Sequence, residues 1–372
     1  MTLAAQAGYC PVRILQLTTE FRPAGAERIV ANLCASLRDA GHEVQAVALQ
    51  SLPDDPTILE ALADADVEIH SLEMSKRQPW RATRLRALVR EFQPDVVHSH
   101  LIHANLASRL FGTGSHRLVN TVHIAERRED KGWHFKLDRA TLSRCHCQTA
   151  VSEAVREFHA AQLGIDPKRM PVVYNGIESP RQLSLDEICE LRNSWGFAGC
   201  TKVVGSVGRL AAQKGYDRLL RWCGELSHRV PDGECWGVVL LGEGPEREAL
   251  AEIAAGLSAN LKVVMPGFRA DAADCAGAFD VFVMPSRYEG FGLTLAEAMG
   301  HGIPIVAAEI DSLPELLGFY NNGHVADFDR VSCVDAILAS LARGRVAGVT
   351  PFSIEAMRDG YLEVYERAHL RR

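Results

Sequence analysis

The segment FDVFVMPSRYEGFGLTLAEAMGHGIPIVAAE, residues 279–309, contains two apolar runs separated by a glycine-rich turn and a short helical pattern. FDVFVMPS reads as a buried strand stopped at Pro285, GLTLAEAMG as a helix stopped by Gly300 and Gly302, and IPIVAA as the next strand. Strand, helix, strand is the repeating unit of a wound parallel sheet. Glu289 sits on the turn and Glu297 inside the helix, so two carboxylates bracket one helix N-terminus. The first-turn N–H groups of Phe291, Gly292 and Leu293, with the positive end of the helix dipole, suit a phosphate. The carboxylates are then left for hydroxyls. A plainer reading is also open, in which Glu289 merely complements the dipole and GFG is a packing turn.

The same rhythm recurs on both sides. VRILQLT, HEVQAVAL, VEIHSL, DVVHSH, RLVNTVH, QTAVS and PVVYNG read as strands of a first half, and TKVVGSVGRL, CWGVVLLGEG and LKVVMPG restart the series. The pattern pauses between residues 178 and 197, with a hinge expected near Asn175 and Gly176. The fold class is therefore α/β: two Rossmann-like doubly wound domains facing each other, with ligands at the carboxyl ends of their strands. We expect domains at 1–185 and 186–352, followed by a last amphipathic helix in 353–372 with Ile354, Met357, Tyr361 and Val364 on one face.

Composition agrees with this plan. The 372 residues are 47% hydrophobic and 23% charged, enough for two cores. A net charge of -7 gives no basic footprint for nucleic acid. No apolar run is long enough to span a bilayer, and MTLAAQAGYCPVR lacks the features of a secretory signal, so a cytoplasmic location is expected. The ten cysteines are scattered without a CxxC pair and read as reduced thiols. CHC at Cys145–Cys147 lacks a partner pair at metal spacing, and the histidines of VVHSHLIH (His98, His100, His103), which look more like ligands, are explained by alternation at a strand end followed by a helix. DAD at Asp64–Asp66 and DFD at Asp327–Asp329 fall at surface turns. No metal or other cofactor is expected.

Further motifs surround the opening segment. In VGSVGRLAAQKGYDRLL, a strand delivers Arg209 and the next helix begins beside Lys214 and Gly215. Two cations near a helix N-terminus oppose the dipole, so a bound anion is the expected compensation. LLGEGPER has Gly242 and Gly244 but no third glycine in register, and reads as a turn beside the site. In the first half, LTTEFRPAGAERIV places Gly25 and Ala26 where backbone could approach a ligand, with Glu27 in the first turn of the helix. RLVNTVH leaves His123 at a strand end.

GAER, TVH, VGRL with KG, and EGFGLTLAEA together resemble the retaining glycosyltransferases of family 4, whose GT-B fold pairs two Rossmann-like domains. The resemblance covers nearly the whole chain, and the pair Glu289 and Glu297 with FGL between them is its most specific part. It implies a nucleotide-diphosphate sugar donor, with a UDP-sugar favoured over a GDP-sugar, and a glycan or lipid-linked acceptor. It also implies roles: Arg209 and Lys214 on the diphosphate, Glu297 on the ribose, Glu289 on the transferred sugar, and His123 on a sugar hydroxyl near the reacting carbon. Backbone at Gly267, Phe268 and Arg269 would meet the base, and the final helix would return to the first domain.

Three departures stand out. The paired glycine before AER is here Ala24 and Gly25, the double glycine before PE is here Asp311 and Ser312, and the hinge acid is Glu178 rather than aspartate. The acceptor is less legible. Residues 76–90, KRQPWRATRLRALVR, carry six basic residues and no acid, which suits either an anionic membrane surface or a solvated helix back. Related phosphate loops also serve nucleotide-sugar epimerases and non-catalytic sugar-nucleotide binders.

Overall fold

The computed structural model describes residues 11–112, 114–125, 127, 132–329 and 333–368. They fall into two compact units, one ending at Gly176 and resuming at Phe352, the other running from Ile177 to Pro351.

In the first unit, β1 (Arg13–Thr18), β2 (Glu43–Ala48), β3 (Glu68–Ser71), β4 (Val96–His100), β5 (Arg117–Val122) and β6 (Cys147–Ala150) form one sheet in the order β3-β2-β1-β4-β5-β6. Every pairing is parallel. The second unit repeats the arrangement with β7 (Lys202–Val207), β8 (Trp236–Leu241), β9 (Leu261–Gly267), β10 (Val281–Met284), β11 (Ile305–Ala308) and β12 (Gly323–Ala326), ordered β12-β11-β10-β7-β8-β9. Both sheets therefore reverse their winding between the first and fourth strands, β1/β4 and β7/β10. Such a reversal opens a crevice at the carboxyl ends of those strands, where doubly wound folds bind ligands. Central strands such as β8 (WGVVLL) and β10 (VFVM) are buried at every position, as strands covered on both faces require.

Two strand expectations are corrected. PVVYNG forms no strand and adds only an isolated bridge between Ala150 and Val172. Pro171 has no N–H to continue a ladder, so the contact ends after the Ala150 N–H donates to Pro171 O (3.0 Å) and the Val173 N–H to Ala150 O (3.0 Å). Conversely, β12 was not foreseen. It is a four-residue edge strand, half-buried throughout, and has no apolar run to announce it.

The core of the first unit joins Leu15 and Leu17 of β1, Val97 of β4 and Leu118 of β5 to Leu85, Val89 and Phe92. The last three come from the helix Leu85–Phe92, so the basic stretch at 76–90 docks through its apolar face. Behind the sheet, the fully buried Arg109 pairs with Asp138, which also accepts from His159 Nε2 (2.7 Å). Burial pushes the Asp138 carboxyl up, but the His159 hydrogen bond and the Arg109 charge outweigh it and hold the group below its ordinary range. The last helix, Ile354–Arg367, begins at Ser353, whose hydroxyl accepts from the Ala356 N–H (3.1 Å). It belongs to the first unit, packs against the helix Gly25–Asp39 and buries Met357, Tyr361, Val364 and Tyr365. No described helix is long and apolar enough to cross a membrane.

Candidate active site

In the second unit, the loops after β7 and β10 meet at the switch point. Gly215 ends a turn at Ala212–Lys214 in the left-handed region (φ 65°), and a Cβ there would lie 2.1 Å from Pro285 O. Only glycine permits both the conformation and the approach. The contact is reinforced on both sides. The Arg287 N–H donates to Gln213 O (2.7 Å), Gln213 Nε2 to Tyr288 O (3.0 Å), and the Arg287 guanidinium grips both oxygens of Asp217 (2.7 Å each). The segment leading to Glu289 is thereby tied to the segment carrying Lys214.

The result is an ion pair. Lys214 Nζ lies 2.7 Å from Glu289 Oε1, which also accepts from Ser286 Oγ (2.8 Å). The compensating anion expected near the two cations is thus supplied in part by the chain itself. Arg209 differs: it is exposed, and no side-chain hydrogen bond or ion pair engages it among the described residues. LLGEGPER proves to be a brace for the Arg209 loop, since the Leu210 N–H donates to Glu243 O (2.9 Å) and the Glu246 N–H to Leu210 O (2.9 Å).

Past Glu289 the chain enters the helix Leu293–Gly300 through Gly292, whose φ of 92° is left-handed and whose Cβ position would be 2.8 Å from Leu313 Cδ2. The N–H groups of Gly292 and Leu293 open this helix, where no preceding turn can take them. Glu297 lies inside the helix and is buried, as is Glu289. Phe291 is buried as well, and its carbonyl accepts from Ser312 Oγ (2.9 Å). The neighbouring Asp311, in left-handed conformation at φ 42°, accepts the Glu289 N–H on Oδ2 (2.9 Å). The two residues that depart from the double glycine therefore latch the EGFG loop. Their part was missed in sequence, although their place immediately before LPELL was visible.

At the end of β9, Gly267 is left-handed and Phe268 is exposed. The Arg269 guanidinium is occupied by Asp271 (2.9 and 2.7 Å). One acid of each DxD spelling is likewise engaged, Asp66 with Arg38 and Asp329 with Arg218. Among the described residues no cluster of three or more histidine, cysteine or acidic side chains is arranged to hold a metal.

In the first unit, the exposed Gly25 opens its helix after β1, and the buried Glu27 follows. Burial raises the Glu27 carboxyl to about 7. His123 follows β5 and is buried, and burial pushes its imidazole down to about 4. His123 Nε2 lies 2.9 Å from His100 Nδ1. The next residue, Leu101, has a φ of 70°, a strained value for a leucine, at the carboxyl end of β4 beside the switch point.

Comparison with known proteins agrees with this architecture. Residues 23–181 match Glycosyltransferase Family 4, and residues 201–343 match Glycosyl transferases group 1. The lipopolysaccharide core biosynthesis mannosyltransferase LpsB of Rhizobium meliloti is 28% identical over 381 residues, spanning 95% of this chain and 97% of that protein. The uncharacterized glycosyltransferase MJ1607 of Methanocaldococcus jannaschii is 31% identical over 200 residues, of which the match spans 50% of its length. Among solved structures, Anabaena Alr3699/HepE in complex with UDP and glucose superposes with a TM-score of 0.78 at 21% identity, covering 95% of this chain and 99% of that one. The chain has the GT-B fold. It belongs to the family 4 glycosyltransferases and is a glycosyltransferase enzyme.

Proposed function

We propose that the chain transfers a sugar from a nucleoside diphosphate donor, with a UDP-sugar favoured, to a hydroxyl of a glycan or lipid-linked acceptor in cell-envelope synthesis, retaining the anomeric configuration. The observation that carries this reading is the switch-point group of the second unit: the unpaired Arg209, the Lys214–Glu289 pair and the amides that open the helix Leu293–Gly300. As the anomeric bond stretches, the leaving diphosphate gains negative charge. Fixed cations and helix N–H groups stabilise that charge without reorganising. Arg209 and Lys214 take the diphosphate, Glu297 the ribose hydroxyls and Glu289 the hydroxyls of the sugar. Backbone at Gly267–Arg269 meets the base, and His123 of the first unit accepts a hydroxyl of the transferred sugar. Because Arg209, Lys214 and the amides supply positive charge, the reaction runs without a metal, and chelator leaves turnover unchanged. The UDP-bound HepE complex and the mannosyltransferase relative support the donor class and the envelope setting.

The acceptor reading rests on the exposed Trp80, which stands in the basic stretch among Lys76, Arg77 and Arg90. An amphipathic aromatic flanked by cations suits the headgroup level of an anionic membrane. Glu73, paired with Arg81 and Arg84, reduces the charge available. Flotation with vesicles holding anionic lipid decides this point, and equal recovery with neutral vesicles removes it. For transfer itself, incubation with UDP-sugar and an acceptor glycan, followed by product analysis, separates transferase from epimerase and from a silent binder.

A further inference from the structure

Alternate residues of a strand share a face, so His98 and His100 of β4 project together into the interior, where neither has exposed surface. They belong to one continuous hydrogen-bonded chain. His123 Nε2 meets His100 Nδ1 (2.9 Å), and His100 Nε2 meets Gln16 Oε1 (2.8 Å). Gln16 Nε2 donates to Tyr365 Oη (3.3 Å), which lies 2.8 Å from His98 Nδ1. His98 Nε2 is 2.7 Å from Thr121 Oγ1, and that hydroxyl is 2.8 Å from Thr149 Oγ1. The chain ends where Thr149 Oγ1 donates to Asn120 O (3.4 Å).

That last bond gives the whole chain a direction. A carbonyl oxygen only accepts, so the single Thr149 proton is used there and Thr149 must accept from Thr121. Thr121, with its own proton spent, must accept from His98 Nε2–H. Burial keeps the three imidazoles neutral by pushing them down, so each ring carries one N–H only. The bare His98 Nδ1 then accepts from Tyr365, Tyr365 from the Gln16 amide, and the Gln16 carbonyl from His100 Nε2–H. His100 Nδ1 is left to accept from His123 Nε2–H. Thr121 Oγ1 also donates to the Tyr361 hydroxyl (3.3 Å); whether its one proton goes there or to Thr149, it is spent, and Thr121 still accepts from His98 Nε2–H.

We infer that Gln16, His98, His100 and Tyr365 are positioning residues forming a one-way relay, which fixes His123 as its Nε2–H tautomer and leaves His123 Nδ1 as a permanent acceptor for a sugar hydroxyl. The inference rests on the assignment of His123 to the sugar under the proposed function. It makes the last helix, through Tyr365, a determinant of a group on β5's end. It also means that His123 selects a hydroxyl donor over a group that can only accept.

The test is a long-range proton–nitrogen correlation spectrum of the full chain labelled with nitrogen-15 histidine, without ligand. The expected result is that His98, His100 and His123 each show a protonated Nε2 and a bare Nδ1. A protonated Nδ1 on His123 overturns the relay. Tyr365→Phe keeps the ring but cuts the chain, and Thr149→Val removes its terminus from a different strand. Either variant is expected to move both His123 nitrogens toward averaged tautomer values and to lower kcat about tenfold, the weight of one hydrogen bond, with donor KM unchanged. His123 nitrogens unmoved in a folded variant overturn the relay too. The spectra need no donor, so a failed relay leaves the transferase reading standing. Failure of the chain to bind any nucleoside diphosphate would overturn that reading instead.

Discussion

Lys214 Nζ lies 2.7 Å from Glu289 Oε1, so the cation assigned to the diphosphate is held by the carboxylate assigned to the sugar. The two roles are coupled. A diphosphate approaching Lys214 competes with Glu289, and Glu289 is turned toward other partners as the cation is shared. Lys214→Ala is expected to lower kcat by about 10²-fold or more, because it removes a donor to developing charge. Glu289→Gln separates the roles: nucleoside diphosphate affinity rises as Lys214 loses its competitor, while sugar transfer falls by a comparable factor. Steady-state kinetics with calorimetry on both variants checks the pair, and weaker diphosphate binding by Glu289→Gln contradicts the coupling.

Glu297 is buried one turn into the helix whose N-terminus faces the proposed phosphate. Its removal should act on binding rather than on chemistry. Glu297→Ala is expected to weaken nucleoside diphosphate affinity about tenfold or more, the scale of a charge-assisted hydrogen bond. Titration of UDP into the variant measures this, and unchanged affinity counts against the ribose assignment.

Asp311 accepts the Glu289 N–H while Ser312 holds the Phe291 carbonyl, so the EGFG loop is fixed from the turn that follows β11. Asp311→Ala releases the Glu289 backbone without touching its side chain. The expected loss is about tenfold in kcat, from misplacement of Glu289, with nucleotide affinity kept. Equal kinetics for variant and parent would show that the latch is idle.

The buried pair of Arg109 with Asp138 carries a stability prediction. Asp138→Asn leaves a buried guanidinium without its counter-charge and is expected to destabilise the first unit by about 3–5 kcal/mol. Urea unfolding followed by fluorescence reads this, and a change below about 1 kcal/mol refutes the assignment of the pair as a structural charge site.

Stability should also depend on pH with a defined sign. The folded imidazoles of His98, His100 and His123 lie below the ordinary histidine value because burial disfavours their charge. The unfolded chain therefore takes up protons first on acidification, and their contribution, full above about pH 6.5, is lost as pH falls toward about 4. Glu27 opposes this: raised to about 7 by burial, it contributes stability below the ordinary carboxylate value that is lost as pH rises through about 7. Unfolding midpoints should rise from pH 5 to pH 7, and Glu27→Gln should steepen that rise. A flat profile in both proteins would refute the buried neutral state of these groups.

Much of the fold was legible because central parallel strands are continuous apolar runs, as in VVLL of β8 and VFVM of β10. The edge strand β12 escaped because an exposed edge needs no such run, and PVVYNG misled because one proline interrupts its ladder. At the site, glycine spacing and charge singled out Arg209, Lys214, Glu289 and Glu297. What sequence could not provide was partnership. Nothing local says that Glu289 meets a lysine 75 positions earlier, or that Tyr365 on the last helix reaches His98 across 267 positions. The period-two placement of His98 and His100 was visible, and marked one face of β4, but its link to His123 depends on the β4–β5 register that pairs His100 with Thr121.

Calorimetric titration of the full chain with UDP, alongside Lys214→Ala and Arg209→Ala variants and in the presence of chelator, tests the central claim most directly. The account predicts one site per chain, affinity independent of chelator, and at least tenfold weaker binding in each variant, as expected for loss of a charged phosphate contact. UDP and GDP binding that is absent, or that both variants leave unchanged, would contradict it.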